Sequence, residues 1–169
     1  MKNLSLLYIL AVIMLSVFTS CDNDSDNDCN PETESGTIHT GFEIIASLDS
    51  DTLHPYDTIL GNNNVFEYQY NAVECDDVHD DEFGYFVRFE VPDLNSEFSY
   101  TDEELITARA YYNEFGAWSN VQLQILSGTI KGTRINDTTY EVDASITTEP
   151  LRGGTDSKTI DFETTFSIE

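Results

Sequence analysis

The sequence contains one dense group of acidic side chains whose composition suits a hard metal ion. The group surrounds His79 and consists of Asp76, Asp77, Asp80, Asp81 and Glu82. Carboxylates gathered in a loop after a strand can supply the roughly six to eight oxygen ligands that Ca²⁺ prefers. The alternative is a solvated acidic loop, because acidic residues are abundant along the whole chain. We expect no cofactor other than this candidate calcium ion.

No motif sets apart a group for covalent or acid–base catalysis. Carboxylate pairs are so numerous that none stands out as a general acid and base, and the G-x-S-x-G motif of serine hydrolases does not occur. The serines next to glycine, Ser35 and Ser127, lie in a predicted tether and a predicted bulge. We therefore favour a protein without catalysis, with a small extracellular hydrolase of polymeric substrates as the alternative.

The first of the 3 cysteines, Cys21, lies at the end of a predicted export signal. Lys2 precedes an apolar run, residues 6–18, that ends shortly before Cys21. A basic start, an apolar stretch and small residues before a cleavage point are typical of secretory signals, and the run is shorter than the ~20 residues that span a bilayer. The segment resembles a bacterial lipoprotein signal, in which a peptidase cuts before a cysteine that carries thioether-linked diacylglycerol. The resemblance implies that residues 1–20 are removed and that acylated Cys21 anchors the protein to a lipid membrane.

An acidic tract follows this cysteine. Residues 22–28 read DNDSDND, without a basic or an apolar side chain. Such a tract cannot bury enough surface to offset its ordering entropy, so we expect a flexible tether over residues 21–36 and a single β-domain over residues 37–169. The tract also resembles the acidic export signal of surface-exposed lipoproteins of the Bacteroidota. That resemblance implies an outer-membrane lipoprotein exposed at the cell surface.

The other two cysteines, Cys29 and Cys75, form a candidate disulfide. With Cys21 acylated, they are the pair that an oxidising exterior would join. The bridge would close a loop of about 46 residues and pin the end of the tether to the domain. Two free thiols are the alternative.

Three threonines lie in short motifs that resemble the O-glycosylation sites of the Bacteroidota, in which a threonine or serine follows aspartate. They are Thr52, Thr58 and Thr138, each preceded by aspartate and followed by an aliphatic residue or threonine. All three fall at predicted turns, where a bulky sugar can be accommodated.

The charge balance excludes whole classes of partner. The chain carries 32 Asp and Glu against 7 Lys and Arg, a formal net charge of −25. Neither nucleic acid nor an anionic lipid surface would approach such a chain. Disorder is not indicated, because 40% of the residues are apolar and 12% are aromatic.

Period-2 alternation of apolar and polar residues recurs from residue 36 onward and predicts β-strands. The alternating runs cover residues 38–48, 66–72, 85–91, 121–130, 140–146 and 160–168. In the run over residues 121–130 the alternation changes phase at Leu126, two residues before Gly128, which predicts a bulge or a bend. Seven to eight strands without a βαβ pattern predict an all-β fold. We favour an antiparallel β-sandwich, with a closed lipocalin-like β-barrel as the alternative.

One segment carries two patterns. Residues 101–104, Thr-Asp-Glu-Glu, form a capping box at the start of a candidate helix. Ile106, Ala108, Ala110 and Tyr112 also alternate as in a strand. We interpret the segment as a strand preceded by one helical turn.

The C-terminal third, residues 119–169, is similar to a C-terminal segment that recurs in small β-rich lipoproteins of the Bacteroidota. The similarity rests on Leu126-Ser-Gly-Thr-Ile130, on Thr139-Tyr-Glu-Val-Asp143, on a Gly-Gly turn and on a final alternating strand. Many of those proteins have no characterised function, and the resemblance transfers no catalytic residue.

These observations favour a surface lipoprotein that acts as a binding or accessory module for a glycan or a protein partner. The aromatic residues to test first as a ligand surface are Tyr111, Tyr112, Phe115 and Trp118. Aromatic faces stack on sugars and anchor interfaces, although such clusters also form ordinary cores. The alternatives are the hydrolase named above and a structural or antigenic surface protein.

Overall fold

Alternating side chains place most of the described chain in β-strands. The computed structural model describes residues 29–46, 56–75, 82–117, 119–151 and 154–169. Its strands are β1 (Cys29–Asn30), β2 (Thr33–Ala46), β3 (Tyr56–Asn71), β4 (Glu74–Cys75), β5 (Phe83–Val91), β6 (Phe98–Thr101), β7 (Tyr111–Gly116), β8 (Val121–Asn136), β9 (Thr139–Thr148) and β10 (Thr159–Ile168). One short helix, α1 (Glu103–Thr107), lies between β6 and β7.

Seven of these strands close into a barrel in the order β8-β7-β5-β3-β2-β10-β9, and β9 returns to β8. Neighbours are antiparallel except β2 and β10, which pair in parallel where Gly36 and Ile38 face Phe166 and Ile168. β6 is an additional strand on β8. The all-β prediction is confirmed, and the barrel is the architecture, rather than the sandwich that the sequence analysis favoured. The reason lies in β8, which pairs with β9 along one edge and with β7 and β6 along the other, so the sheet closes on itself.

Aromatic rings fill the barrel interior. Phe66 lies at the centre, with its ring centroid 5.2 to 5.5 Å from those of Phe89, Phe98, Tyr140 and Phe166. These separations are in the range in which aromatic pairs attract beyond simple burial. Because side chains occupy the lumen, we look for binding surfaces on the outside of the barrel.

The predicted bulge in β8 is confirmed. The register between β8 and β9 shifts between Ile125 and Ser127, and Gly128 has φ of 114°. A side chain at Gly128 would place its Cβ 2.1 Å from the carbonyl oxygen of Ser145, so both its conformation and its surroundings require glycine.

β2 and β3 continue beyond the barrel wall as a hairpin. The register between them shifts at Gly41, which has φ of 76°, and opposite it at residues 61–63. We call residues 42–46 and 56–60 the arm. The arm folds back over the outer face of the barrel, where Ile44 forms a small buried cluster with Val65 and Tyr111.

The ordered domain begins earlier than the sequence predicted. Residues 29–36 were assigned to the tether, but β1 pairs with β4 and β2 begins at Thr33. Hydrogen bonding to the barrel thus orders a polar segment that its composition alone would leave unfolded. The predicted signal peptide, and the tether from Cys21 to residue 28, lie outside the described residues.

The segment with two patterns contains both structures. The backbone N–H of Thr101 donates to the Glu104 carboxylate over 2.9 Å, which is half of the predicted capping box. The helical turn extends through Thr107, and the strand begins at Tyr111, later than the alternation indicated.

Candidate functional site

Most of the predicted calcium loop lies outside the described residues. Asp76, Asp77, Asp80 and Asp81 are among the residues not described, and Glu82 is exposed. Within the described ranges, no three side chains of His, Cys, Asp and Glu come together as a metal-binding group.

Cys29 and Cys75 form a disulfide in the structure, with a sequence separation of 46. The two residues are direct partners in the pairing of β1 with β4. The bridge therefore fastens the beginning of the described chain to one end of the barrel, which we call the disulfide end. Cys21, the predicted lipidation site, lies outside the described residues.

The candidate ligand aromatics do not form one exposed surface. Tyr111 and Tyr112 have 0% and 2% of their surface exposed and point to opposite faces of β7. Neither ring is open to a ligand in this conformation, because the arm covers Tyr111 and the barrel encloses Tyr112, and their role as ligand aromatics stays a prediction. Phe115 is half-buried beside Phe86, and Trp118 lies outside the described residues.

The three candidate glycosylation sites have different surroundings. Thr58 lies in β3 rather than in a turn, and its hydroxyl is buried without a hydrogen-bond partner among the described residues, which is unfavourable for attaching a sugar. Thr138 is exposed in the β8–β9 turn, where its hydroxyl donates to the Asn136 side chain over 3.1 Å. Thr52 lies outside the described residues.

An ion pair between buried Glu90 and half-exposed Arg109 joins the arm to the barrel. Glu90, on the outer face of β5, is only 5% exposed and accepts hydrogen bonds from Arg109, from the backbone N–H of Ile44 and from the Asn63 amide. Arg109 in turn donates to the Ile44 carbonyl. The carboxylate and the guanidinium thus satisfy both backbone groups of Ile44 on the side that faces away from β3, as a neighbouring strand would. We call these two side chains and their bonds to Ile44 the clamp.

The backbone of Arg109 has an unusual conformation for its residue type. Arg109 has φ of 50° and follows α1 at the position where a left-handed residue, usually glycine, ends a helix. The bonds of a Schellman motif are present, from the Arg109 N–H to the Ile106 carbonyl and from the Ala110 N–H to the Leu105 carbonyl. A left-handed conformation costs a non-glycine residue about 1–2 kcal/mol. The bonds of the Arg109 side chain to Ile44 and Glu90 can offset this cost.

A groove of about 430 Å³ opens between the arm and the end of α1. It is lined by Ile45, Ala46, Tyr56, Ile106, Arg109 and Gln124. The Arg109 side chain is 46% exposed, and the bonds it makes within the described residues use only Nη1. Nε and Nη2 therefore remain as hydrogen-bond donors at an apolar and aromatic surface.

A second hollow, of about 280 Å³, lies on the other side of the clamp. It is lined by Glu90, Pro92, Ser99, Tyr100, Glu104, Thr107 and Ala108. Its carboxylates already accept hydrogen bonds, since Glu90 belongs to the clamp and Glu104 binds Thr101. The first groove, with free donors, is the better binding surface.

A second buried ion pair lies near the disulfide end. The Glu114 carboxylate is 7% exposed and accepts hydrogen bonds from Lys158 and from the Tyr112 hydroxyl. Burial would raise the pKa of Glu114, but the hydrogen bonds from Lys158, Ser119 and Tyr112 outweigh it and lower the pKa. Burial and the bond to Glu114 raise the pKa of Tyr112. The ionised carboxylate therefore balances the positive charge of Lys158, and the Tyr112 hydroxyl donates a hydrogen bond to it.

No family model matches this chain, and comparisons with curated proteins and with solved structures find no match. Among the described residues, no helix has the length and apolar character needed to cross a bilayer.

Proposed function

We propose that this protein is a non-catalytic binding or accessory module displayed on the cell surface, held to the outer membrane by a lipid on Cys21. The observation that carries the binding role is the groove beside Arg109. It combines apolar side chains with an aromatic ring and a guanidinium whose free donors are held in place by the clamp.

A neutral glycan is the ligand that fits this surface best. Guanidinium and amide groups donate to sugar hydroxyls, and an aromatic ring packs against the apolar face of a pyranose. The net charge of −25 repels uronic acids and sulfated sugars. A protein partner is the second ligand class for the same groove.

Binding is tested by titrating the acylated full chain with neutral oligosaccharides and, in parallel, with uronic-acid oligosaccharides. We expect saturable binding of a neutral oligosaccharide and none of the acidic ones. Gln124→Ala, in the groove, should weaken binding about tenfold, the loss of roughly one hydrogen bond. Gln69→Ala is the matched control, because Gln69 lies on β3 and bonds to Asn71.

Three outcomes would count against the proposal. Equal effects of the two glutamine variants would place the site elsewhere, and no binding by any neutral oligosaccharide would exclude the glycan. Release of shortened oligosaccharides during the titration would support the hydrolase alternative.

Anchoring is tested separately by mass spectrometry and protease treatment of intact cells. We expect a diacylglycerol-containing N-terminal peptide that begins at Cys21, and loss of the protein from cells treated with external protease. A Cys21→Ser variant without lipid, recovered in the soluble fraction, would complete the result. An unmodified Cys21 in the native protein would contradict it.

A further inference from the structure

The arm is attached to the barrel differently from every strand of the barrel wall. The wall strands share backbone ladders with both neighbours, as between β3 and β5 over residues 64–71. Among the described residues, the arm shares a ladder only within itself, between residues 42–46 and 56–60. The hydrogen bonds that join these described arm residues to the barrel involve side chains.

Those bonds lie at two points. The clamp binds Ile44, and the Gln122 side chain on β8 accepts from the backbone N–H of Tyr56 over 2.9 Å. Between these points the arm packs through Ile44 and through Tyr56, whose ring stacks on Tyr111 at 4.8 Å. The buried Thr58 hydroxyl, without a partner among the described residues, shows that this contact is not fully satisfied.

A hinge separates the arm from the barrel. Gly41 has a positive φ, and a Cβ there would meet nothing closer than 3.9 Å, so it is the backbone conformation that requires glycine. On β3 the extra residues opposite Gly41 interrupt the ladder at the same level. Rotation here would lift both strands of the arm together without breaking a ladder of the barrel wall.

We infer that the arm is a hinged strap that opens as a unit when the bonds of the clamp break. Opening exposes the aromatic surface of Tyr111 and Phe86 beside the groove. Local opening of this kind is expected where few apolar contacts and side-chain hydrogen bonds hold a segment. The opening itself is independent of the proposed function. Its role in admitting a ligand to the groove rests on that function.

Opening would make one of the candidate ligand aromatics, Tyr111, accessible to a ligand. Tyr111 is closed to ligands while Tyr56 covers it, and it becomes accessible when the strap lifts. Arg88 stays beside it, because its guanidinium lies 4.1 Å from the Phe86 ring centroid and donates to the Tyr111 hydroxyl over 3.0 Å. The surface exposed by opening is therefore already fixed in place.

Amide hydrogen exchange of the full chain tests the strap without any ligand. We expect the Ile44 and Tyr56 amides to exchange at least a hundredfold faster than the Val87 and Ile146 amides of the barrel wall. Glu90→Gln removes the charge of the clamp with little change in shape and should speed exchange at Ile44 and Tyr56 about tenfold. Barrel amides should keep their rates.

Two further variants keep the test decisive. Gln122→Ala removes only the acceptor of the Tyr56 N–H and should act in the same direction even if Glu90→Gln folds poorly. Arg134→Gln breaks an exposed ion pair with Asp137 and should leave the arm unchanged. Equal protection of arm and barrel amides would overturn the inference that the arm opens as a unit. An equal increase in the exchange rates of arm and barrel amides in the clamp variants would overturn it as well. Failure of sugar binding with a mobile arm would reject only the proposed function.

Discussion

The two apolar clusters of this protein lie on opposite faces of the same strands and are built in different ways. The interior cluster contains nineteen buried residues of the described chain and is enclosed by backbone ladders. The outer cluster contains three, Ile44 of the arm and Val65 and Tyr111 of the barrel wall, and side-chain hydrogen bonds hold the arm in place there. The comparison separates the part of the molecule that provides stability from the part that is free to move.

Ile38 and Ile44 give the sharpest test of this difference. Both lie in β2 and are 0% exposed, but Ile38 is in the interior cluster, whereas Ile44 belongs to the arm and packs in the outer cluster. Ile→Ala in a core costs about 2–5 kcal/mol. We expect Ile38→Ala to lie near the top of this range and Ile44→Ala near the bottom, because the arm can adjust over the cavity. Urea denaturation measures both, and equal losses would show that the clusters unfold as one.

The disulfide should stabilise the barrel and leave the arm unaffected. Closing a loop of 46 residues is worth up to about 4 kcal/mol in the loop-entropy picture. We expect Cys29→Ala with Cys75→Ala to lower the free energy of unfolding by about 2–4 kcal/mol. Exchange at the Ile44 amide should not change beyond this global effect. Faster exchange at the Ile44 amide than at barrel amides in the double variant would contradict this prediction, because it would show that the disulfide also stabilises the arm.

Arg109 should be costly to remove in a way that depends on the replacement. Arg109→Ala leaves Glu90 without its ion partner and keeps the left-handed backbone, with an expected loss of about 1–3 kcal/mol because the guanidinium is half exposed. Arg109→Gly loses the same partner but relieves the backbone, so it should be more stable than the alanine variant by about 1 kcal/mol. Thermal unfolding of the two proteins measures the difference. A glycine variant no better than alanine would show that the conformation carries no cost.

The smallest effect is expected at the other buried ion pair, and it depends on pH. Hydrogen bonds hold the pKa of Glu114 below its ordinary value of 4.5, so its stabilisation is present above that pH and is lost as the pH falls through the lowered value. Replacing Lys158 with methionine should flatten this loss as the pH falls below 4.5, because one of the hydrogen bonds that lower the pKa of Glu114 is then absent. Arg134→Met, at an exposed ion pair, should leave the pH dependence as it is. Denaturation midpoints across this range distinguish the two.

The strand pattern of the barrel was visible in the sequence because one face of each wall strand is buried. Tyr140, Val142, Ala144 and Ile146 alternate with exposed residues in β9, as predicted. Closure into a barrel was not visible, because it depends on which edges pair, and the pairing of β2 with β10 joins residues far apart in the chain.

The clamp was missed for a related reason. Glu90 occupies a polar position in an alternating strand, a pattern that by itself predicts exposure to water, but the arm covers it. An arginine in a left-handed conformation leaves no mark in a sequence. The run Gly61-Asn62-Asn63-Asn64 consists of residue types that favour turns, and in the structure this region interrupts the ladder at the hinge.

The disulfide also sets a distance. From Cys21 to Cys29 the chain has 29 − 21 = 8 residue steps, and a fully extended chain spans at most about 3.6 Å per residue. With the proposed lipid on Cys21, the disulfide end of the barrel stays within about 29 Å of the membrane surface, however the intervening residues are arranged. Reduction of the bond would free the chain as far as Thr33, where β2 begins, and would increase this maximum distance by about half. If Cys21 carries the proposed lipid, the bridge would limit how far the domain can move from the bilayer.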